Sequence, residues 1–355
     1  MIFRYNKKLL IRLISVIIFF ITLGCTMSSN NWEISPTELL NSSIWLNVSP
    51  IDKPVTYLPL KIDTLDPKKV LLGKELFKDK HLSGDNTISC ESCHSLQLGG
   101  GDRKKVSIGI NGSKGTFNSP SILNSAFNFR QFWDGRVESL EEQINEPINN
   151  IKEMGTNWTE VVRKLQEDQN YPQEFQDIYQ SDYNKIGNGK LIANITPEKI
   201  RDAIATYERS LITPNSPFDQ YLKGDLSALN AQQKKGYEVF KAYGCISCHQ
   251  GINIGGNMFQ QFGIFGNYFE DTKQLQPEDL GRYNITGNEA DRYVFKVPSL
   301  RNVALTSPYF HNGSVESLAE TIRIMGKYQL GRILTTEDVD VLIEFLRSLT
   351  GEIPQ

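Results

Sequence analysis

Four cysteines beyond the N-terminal segment fall into two copies of one pattern: Cys90-Glu91-Ser92-Cys93-His94 and Cys245-Ile246-Ser247-Cys248-His249. Two thiols at this spacing, followed at once by a histidine, are what covalent attachment of haem requires. The thiols add across the two vinyl groups of one porphyrin, and the adjacent imidazole is held beneath the iron as proximal ligand. A structural zinc would need four ligands converging on one metal. Two cysteine pairs 155 positions apart could supply them, but the histidine after each would then be a coincidence. Disulfides suit an exported chain, yet neither a disulfide nor a redox pair needs the trailing histidine. The expectation is two covalently bound haem c groups. Cys90, Cys93 and His94 would hold one, and Cys245, Cys248 and His249 the other.

The segments that must position these motifs also come in pairs. Leu72-Gly73-Lys74-Glu75-Leu76-Phe77-Lys78 precedes the first motif, and Lys235-Gly236-Tyr237-Glu238-Val239-Phe240-Lys241 the second. Ser119-Pro120-Ser121-Ile122-Leu123-Asn124 aligns with Val297-Pro298-Ser299-Leu300-Arg301-Asn302. Phe132-Trp133-Asp134-Gly135 aligns with Phe310-His311-Asn312-Gly313, and Glu153-Met154-Gly155 with Ile324-Met325-Gly326. Two long units of this kind imply a duplicated domain rather than a solenoid. Apolar periodicity predicts helices near 67–78, 139–145, 157–167, 197–211, 231–243, 316–324 and 336–348, joined by long loops. Thr196 before Pro197 marks one helix start, because the hydroxyl can cap free amides and proline suits the first turn. The expected fold is mainly α, with two cytochrome-c-like haem domains related by internal duplication.

The two halves differ where chemistry would differ. Met325 offers a soft thioether to the second iron, and His/Met ligation raises a haem potential and suits electron transfer. Its alternative role is core packing. At the corresponding place the first half has Glu153, a poor iron ligand but a useful general acid/base over an open iron. Its alternative is a solvated charge at a helix end.

Composition bounds the rest. The chain has 355 residues, 39% hydrophobic and 22% charged, which is ordinary for a globular protein of two modest domains. Its net charge is −3, and the first 24 residues carry four basic side chains and no acidic one. The balance elsewhere, 34 basic against 41 acidic residues, argues against a nucleic-acid binder, which would show a basic patch. Residues 1–25 read as an export signal, with an apolar run from Leu13 to Leu23 too short for an ordinary membrane span. The run stops at Leu23-Gly24-Cys25 and resembles a bacterial lipoprotein signal in which Cys25 is lipidated. Cleavage by an ordinary signal peptidase and an uncleaved anchor are the alternatives. Residues 26–57 read as a spacer, 58–212 as the first haem domain and 213–355 as the second, with the chain end packing back on the first.

Both haem motifs, with Gln131-Phe132-Trp133-Asp134-Gly135-Arg136, Leu140-Glu141-Glu142-Gln143, Glu153-Met154-Gly155, Gly287-Asn288-Glu289-Ala290-Asp291-Arg292 and Pro308-Tyr309-Phe310-His311-Asn312-Gly313, closely resemble the bacterial dihaem cytochrome c peroxidases. The resemblance runs from about Leu58 to Gly351. It implies a periplasmic enzyme that reduces hydrogen peroxide to water with electrons from a small cytochrome c or copper protein, and that forms a homodimer. It implies that His94 is proximal ligand of the peroxidatic haem, and that His249 and Met325 ligate the electron-transfer haem. Glu153 and Gln143 would line the peroxide pocket, and Trp133 would lie between the haems as the electron bridge. A calcium ion between the domains would be held by the Asn118 side chain and the carbonyls of Thr306 and Pro308.

Where relatives place a displaceable histidine after Ser107-Ile108-Gly109, this chain has Ile110. Where they have arginine in a strand-like segment before the first motif, it has His81, expected near a haem propionate or at the surface. A dihaem oxidase acting on a partner enzyme uses tyrosine in place of Met325. A plain dihaem electron carrier would leave Gln143 and Glu153 without a role.

Overall fold

A computed structural model describes residues 54–179 and 194–355, together with the backbone of two short strands at 183–185 and 191–193. Cys25 and the signal segment lie outside the described residues, as does most of the spacer. The fold is mainly helical. Its principal helices are α1 (Pro67–Lys78), α2 (Trp158–Glu167), α3 (Tyr171–Ile178), α4 (Pro197–Ser210), α5 (Ala231–Ala242), α6 (Leu318–Ile324) and α7 (Thr336–Arg347). Strands β1 (Tyr183–Lys185) and β2 (Leu191–Ala193) pair antiparallel, as do β3 (Phe259–Gln261) and β4 (Val294–Lys296). No helix among the described residues is long and apolar enough to cross a membrane.

Helix starts follow their capping chemistry. Asp66 accepts from the Lys68 amide before Pro67, and Thr196 from the Lys199 amide before Pro197. Reciprocal caps, Asn230 with Gln233 and Thr335 with Asp338, open α5 and α7. These bonds satisfy amides that have no partner within the helix.

The apolar faces form two clusters. One joins Leu72, Leu76 and Phe77 of α1 to Ile200, Ala203, Ile204 and Tyr207 of α4, with Val161, Leu165 and Phe175. The other joins Val239 and Phe240 of α5 to Val339, Leu342, Phe345 and Leu346 of α7, with Phe218. Each helix pair crosses at a glycine. A Cβ on Gly73 would stand 2.0 Å from the Ala203 carbonyl oxygen, and one on Gly236 1.9 Å from that of Val341. The helices approach this closely because neither position has a side chain.

Asn124 and Asn302, aligned in the sequence, share left-handed backbone with φ 61° at both. Their side-chain amides both donate to Thr213 Oγ1, at 2.8 and 2.9 Å. The chain end returns to the first cluster, where Ile353 packs and the Gln355 carbonyl accepts from Lys74 Nζ at 2.9 Å. His81 is not in a strand-like segment. Asp79 caps a short 3₁₀ turn, Lys80–Leu82, and pairs with the exposed His81 ring at 2.9 Å.

Candidate functional site

Each CxxCH motif opens on one turn of 3₁₀ helix, Cys90–Ser92 and Cys245–Ser247. The turn brings its two cysteines to one side, and the histidine amide bonds back to the first cysteine carbonyl at 3.0 Å in both. The four cysteines are free thiols, the form that can add to a vinyl group. A single cavity of about 510 Å³ is lined by both motifs, together with Met325, Gln143, Glu153, Trp133, Asn118, Thr306 and Pro308.

The histidines suit axial ligation. His94 Nδ1 lies 3.2 Å from the Gly100 carbonyl, which can only accept, so Nδ1 carries the proton and Nε2 keeps its lone pair. Burial holds the His94 imidazole below its ordinary pKa and pushes His249 down to about 4. Both rings are therefore neutral at pH 7, as a metal ligand must be. His249 Nδ1 is buried without a well-aligned partner, although the Ile254 and Pro298 carbonyls face the ring. Met325 caps α6 and begins a π-helical turn, Met325–Gln329. Such turns recur at functional sites. Two thiols and a neutral imidazole from each motif on the wall of one cavity fit two covalent haems.

Glu153 is half-buried in a turn. Its Oε1 accepts from Asn150 Nδ2 at 2.7 Å, and burial raises its pKa, only partly offset by Asn150 and Arg136. Its carbonyl accepts from the Ile110 amide at 2.9 Å. The Ile110 side chain is buried and fills the space beside Gly155, where a Cβ would come within 2.1 Å of its Cδ1. Gln143 ends the short helix Leu140–Gln143, capped by Ser139.

Trp133 donates from Nε1 to the Asn118 carbonyl at 2.9 Å. Its ring meets His311 edge-on, with centroids 6.4 Å apart. His311 stacks on Phe295 at 4.4 Å and shares a 2.7 Å hydrogen bond with buried Asp279. Burial pushes the Asp279 pKa up, but the His311, Gln276 and Asn312 hydrogen bonds outweigh it and leave the group below its ordinary value. Four residues around the site had no role from sequence: Asn150, His311, Asp279 and Lys296. His311 and Lys296 carried a signal, their alignment with Trp133 and Asn118 in the repeat.

Two attachment motifs around one cavity in a mainly helical fold define a c-type di-haem redox protein. The di-haem cytochrome c peroxidase family model matches residues 67–227. A cytochrome c peroxidase of Escherichia coli is 44% identical over 84% of this chain, which spans 62% of that protein's length. The cytochrome c551 peroxidase of Pseudomonas aeruginosa is 39% identical over 94% of this chain and 92% of its own. The solved structure of a MauG-like protein associated with microbial copper homeostasis superposes with TM-score 0.71, at 26% identity, over 91% of this chain and 96% of the other. The chain belongs to the di-haem cytochrome c peroxidase family, and its class is that of a peroxide-reducing oxidoreductase.

Proposed function

We propose that the two halves divide the reaction H₂O₂ + 2 e⁻ + 2 H⁺ → 2 H₂O, the first activating peroxide and the second receiving electrons from a small cytochrome c or copper protein. The observation that carries this is the single cavity lined by both CxxCH motifs, with Glu153, Gln143 and Trp133 on its wall. Haem bound by Cys90, Cys93 and His94 would supply the metal and the redox equivalents. The protein's part is proton and electron placement. Glu153 takes the proton from one peroxide oxygen and returns it to the other, so that water rather than hydroxide leaves. Asn150 fixes the carboxyl group, and Gln143 orients the oxygens. Trp133 carries electrons between the halves. Met325 and His249 would hold the second iron, a pairing that favours a high potential.

The same reading extends to the finer organisation. Residues 58–212 and 213–355 are duplicated haem domains, supported by the matched helix crossings at Gly73 and Gly236 and the matched turns at Asn124 and Asn302. A calcium ion would be held by Asn118 Oδ1 and the Thr306 and Pro308 carbonyls, hard oxygen donors of the kind calcium takes. Asn118 Nδ2 is committed to the Lys104 carbonyl at 2.8 Å, which turns Oδ1 toward other partners. The protein would act in the periplasm as a homodimer, tethered through lipidated Cys25.

Steady-state peroxide turnover with a panel of reduced cytochromes and copper proteins tests the reading, alongside a room-temperature spectrum. Turnover with at least one donor and a high-spin ferric band are expected. No turnover and two low-spin haems in every redox state would make the protein an electron carrier instead.

A further inference from the structure

Ser119-Pro120-Ser121 aligns with Val297-Pro298-Ser299, so Asn118 and Lys296 hold the same position in the two halves. The backbone obeys that match. The Asn118 amide donates to the His311 carbonyl and the Lys296 amide to the Trp133 carbonyl, each at 2.8 Å. Since Trp133 aligns with His311, these bonds are one reciprocal pair across the seam.

Lys296 is buried and lines the cavity. No carboxylate among the described residues pairs with it, whereas Arg136 has Asp134 and buried Arg301 has Asp219. Burial alone acts on its ammonium, pushing it down to about 8, with no opposite charge offsetting it. A buried charge of this kind needs an anion. Its strand, β4, runs into the surroundings of the second motif. Lys296 pairs with Phe259 of β3, the adjoining pair Phe295–Gln260 sets Gln260 Nε2 3.9 Å from Cys248 Sγ, and the Pro298 carbonyl, two residues beyond Lys296, faces His249.

We propose that the Lys296 ammonium is the counter-charge for a propionate of the haem at the second motif, and that it raises that haem's midpoint potential. The inference rests on the two-haem reading above. On the first side the equivalent position, Asn118, would instead recruit a calcium ion, so each half would set a cation at the same place. The sign follows from Coulomb's law: a fixed cation disfavours the ferric state, which carries one more positive charge.

The test uses the full haem-loaded protein, wild type, Lys296→Met and Lys296→Arg. Pyridine haemochrome assay counts the haems, and spectroelectrochemical titration gives both midpoints. The expected result is two haems in each protein, a downward shift of the second midpoint in Lys296→Met, and a value near wild type in Lys296→Arg. Unchanged midpoints in Lys296→Met, or an equal shift in both variants, would overturn the proposal. Fewer than two haems on the wild-type chain would overturn the reading beneath it as well. Should Lys296→Met fail to mature, resonance Raman of wild type and Lys296→Arg decides. A propionate band that moves when ammonium becomes guanidinium supports the pairing, and identical bands overturn it.

Discussion

Glu153 is half-buried, which raises its pKa above the ordinary carboxylate value, and the 2.7 Å bond donated by Asn150 Nδ2 to Oε1 offsets that shift only in part. Glu153→Gln preserves shape and removes proton transfer, so peroxide turnover should fall about 100- to 10,000-fold with both haem spectra retained. Near wild-type turnover, with peroxide binding not limiting, would eliminate the role. The pH dependence has a fixed sign. The ionised carboxylate accepts the peroxide proton, so wild-type turnover should fall as pH drops through a pKa above the ordinary carboxylate range. That acid limb should vanish in the glutamine variant, which a pH profile of both proteins will check. Met325 makes a separate prediction. Met325→His should lower the second midpoint substantially, because a harder nitrogen replaces the thioether that favours ferrous iron; an unchanged midpoint would mean that Met325 only packs. At this scale the attachment residues were legible, because covalent chemistry fixes both type and spacing within five residues. Asn150 and Asp279 were not, since their roles arise from burial and from partners that no local pattern encodes; for Lys296 the repeat marked the position, opposite Asn118, but not its burial.

Among the elements, periodicity and caps located the principal helices to within two residues at nearly every end, including the start at Thr196. The missed pieces are α3 and several one-turn helices, such as Pro217–Leu222 and Tyr268–Thr272. Segments this short bury too few residues to reveal a period, and their conformation is set by what they pack against. The repeat also hid a reason for itself. Gly73 and Gly236 read as helix interiors, where glycine is unfavourable by about 1 kcal/mol relative to alanine. They are retained because α1 meets α4, and α5 meets α7, with a carbonyl where the Cβ would be. Gly236→Ala should therefore destabilise rather than stabilise, by about 1–3 kcal/mol through overpacking. Thermal unfolding of the haem-loaded protein should show a lower Tm, while exposed Lys234→Ala on the same helix should leave it nearly unchanged. A higher Tm for Gly236→Ala would refute the close crossing.

For the whole molecule, the question is whether one half must be reduced before the other can act. The resemblance to dihaem peroxidases implies a displaceable histidine in the loop after the first motif, released when the second haem is reduced. Here that loop carries Ile110, whose side chain offers iron no lone pair. Its amide is bonded to the Glu153 carbonyl, and its side chain is buried against Gly155, so the loop and the proton-transfer turn are fastened as one body. Other donors are held elsewhere: His81 is exposed and paired with Asp79, outside the cavity lining. Met154 does line the cavity but is buried in the first apolar cluster, and the Lys104 backbone is tied at both ends, by Asp102 and Asn118. The fully ferric protein should therefore show a high-spin signal from the first haem in electron paramagnetic resonance and react with peroxide in stopped flow without prior reduction. A wholly low-spin first haem, inert to peroxide until one electron is added, would mean that gating survives with another ligand. Met154→Leu would then identify it: Met154 is a soft donor of the first half already on the cavity wall and outside the attachment motif, and its removal should restore the high-spin signal.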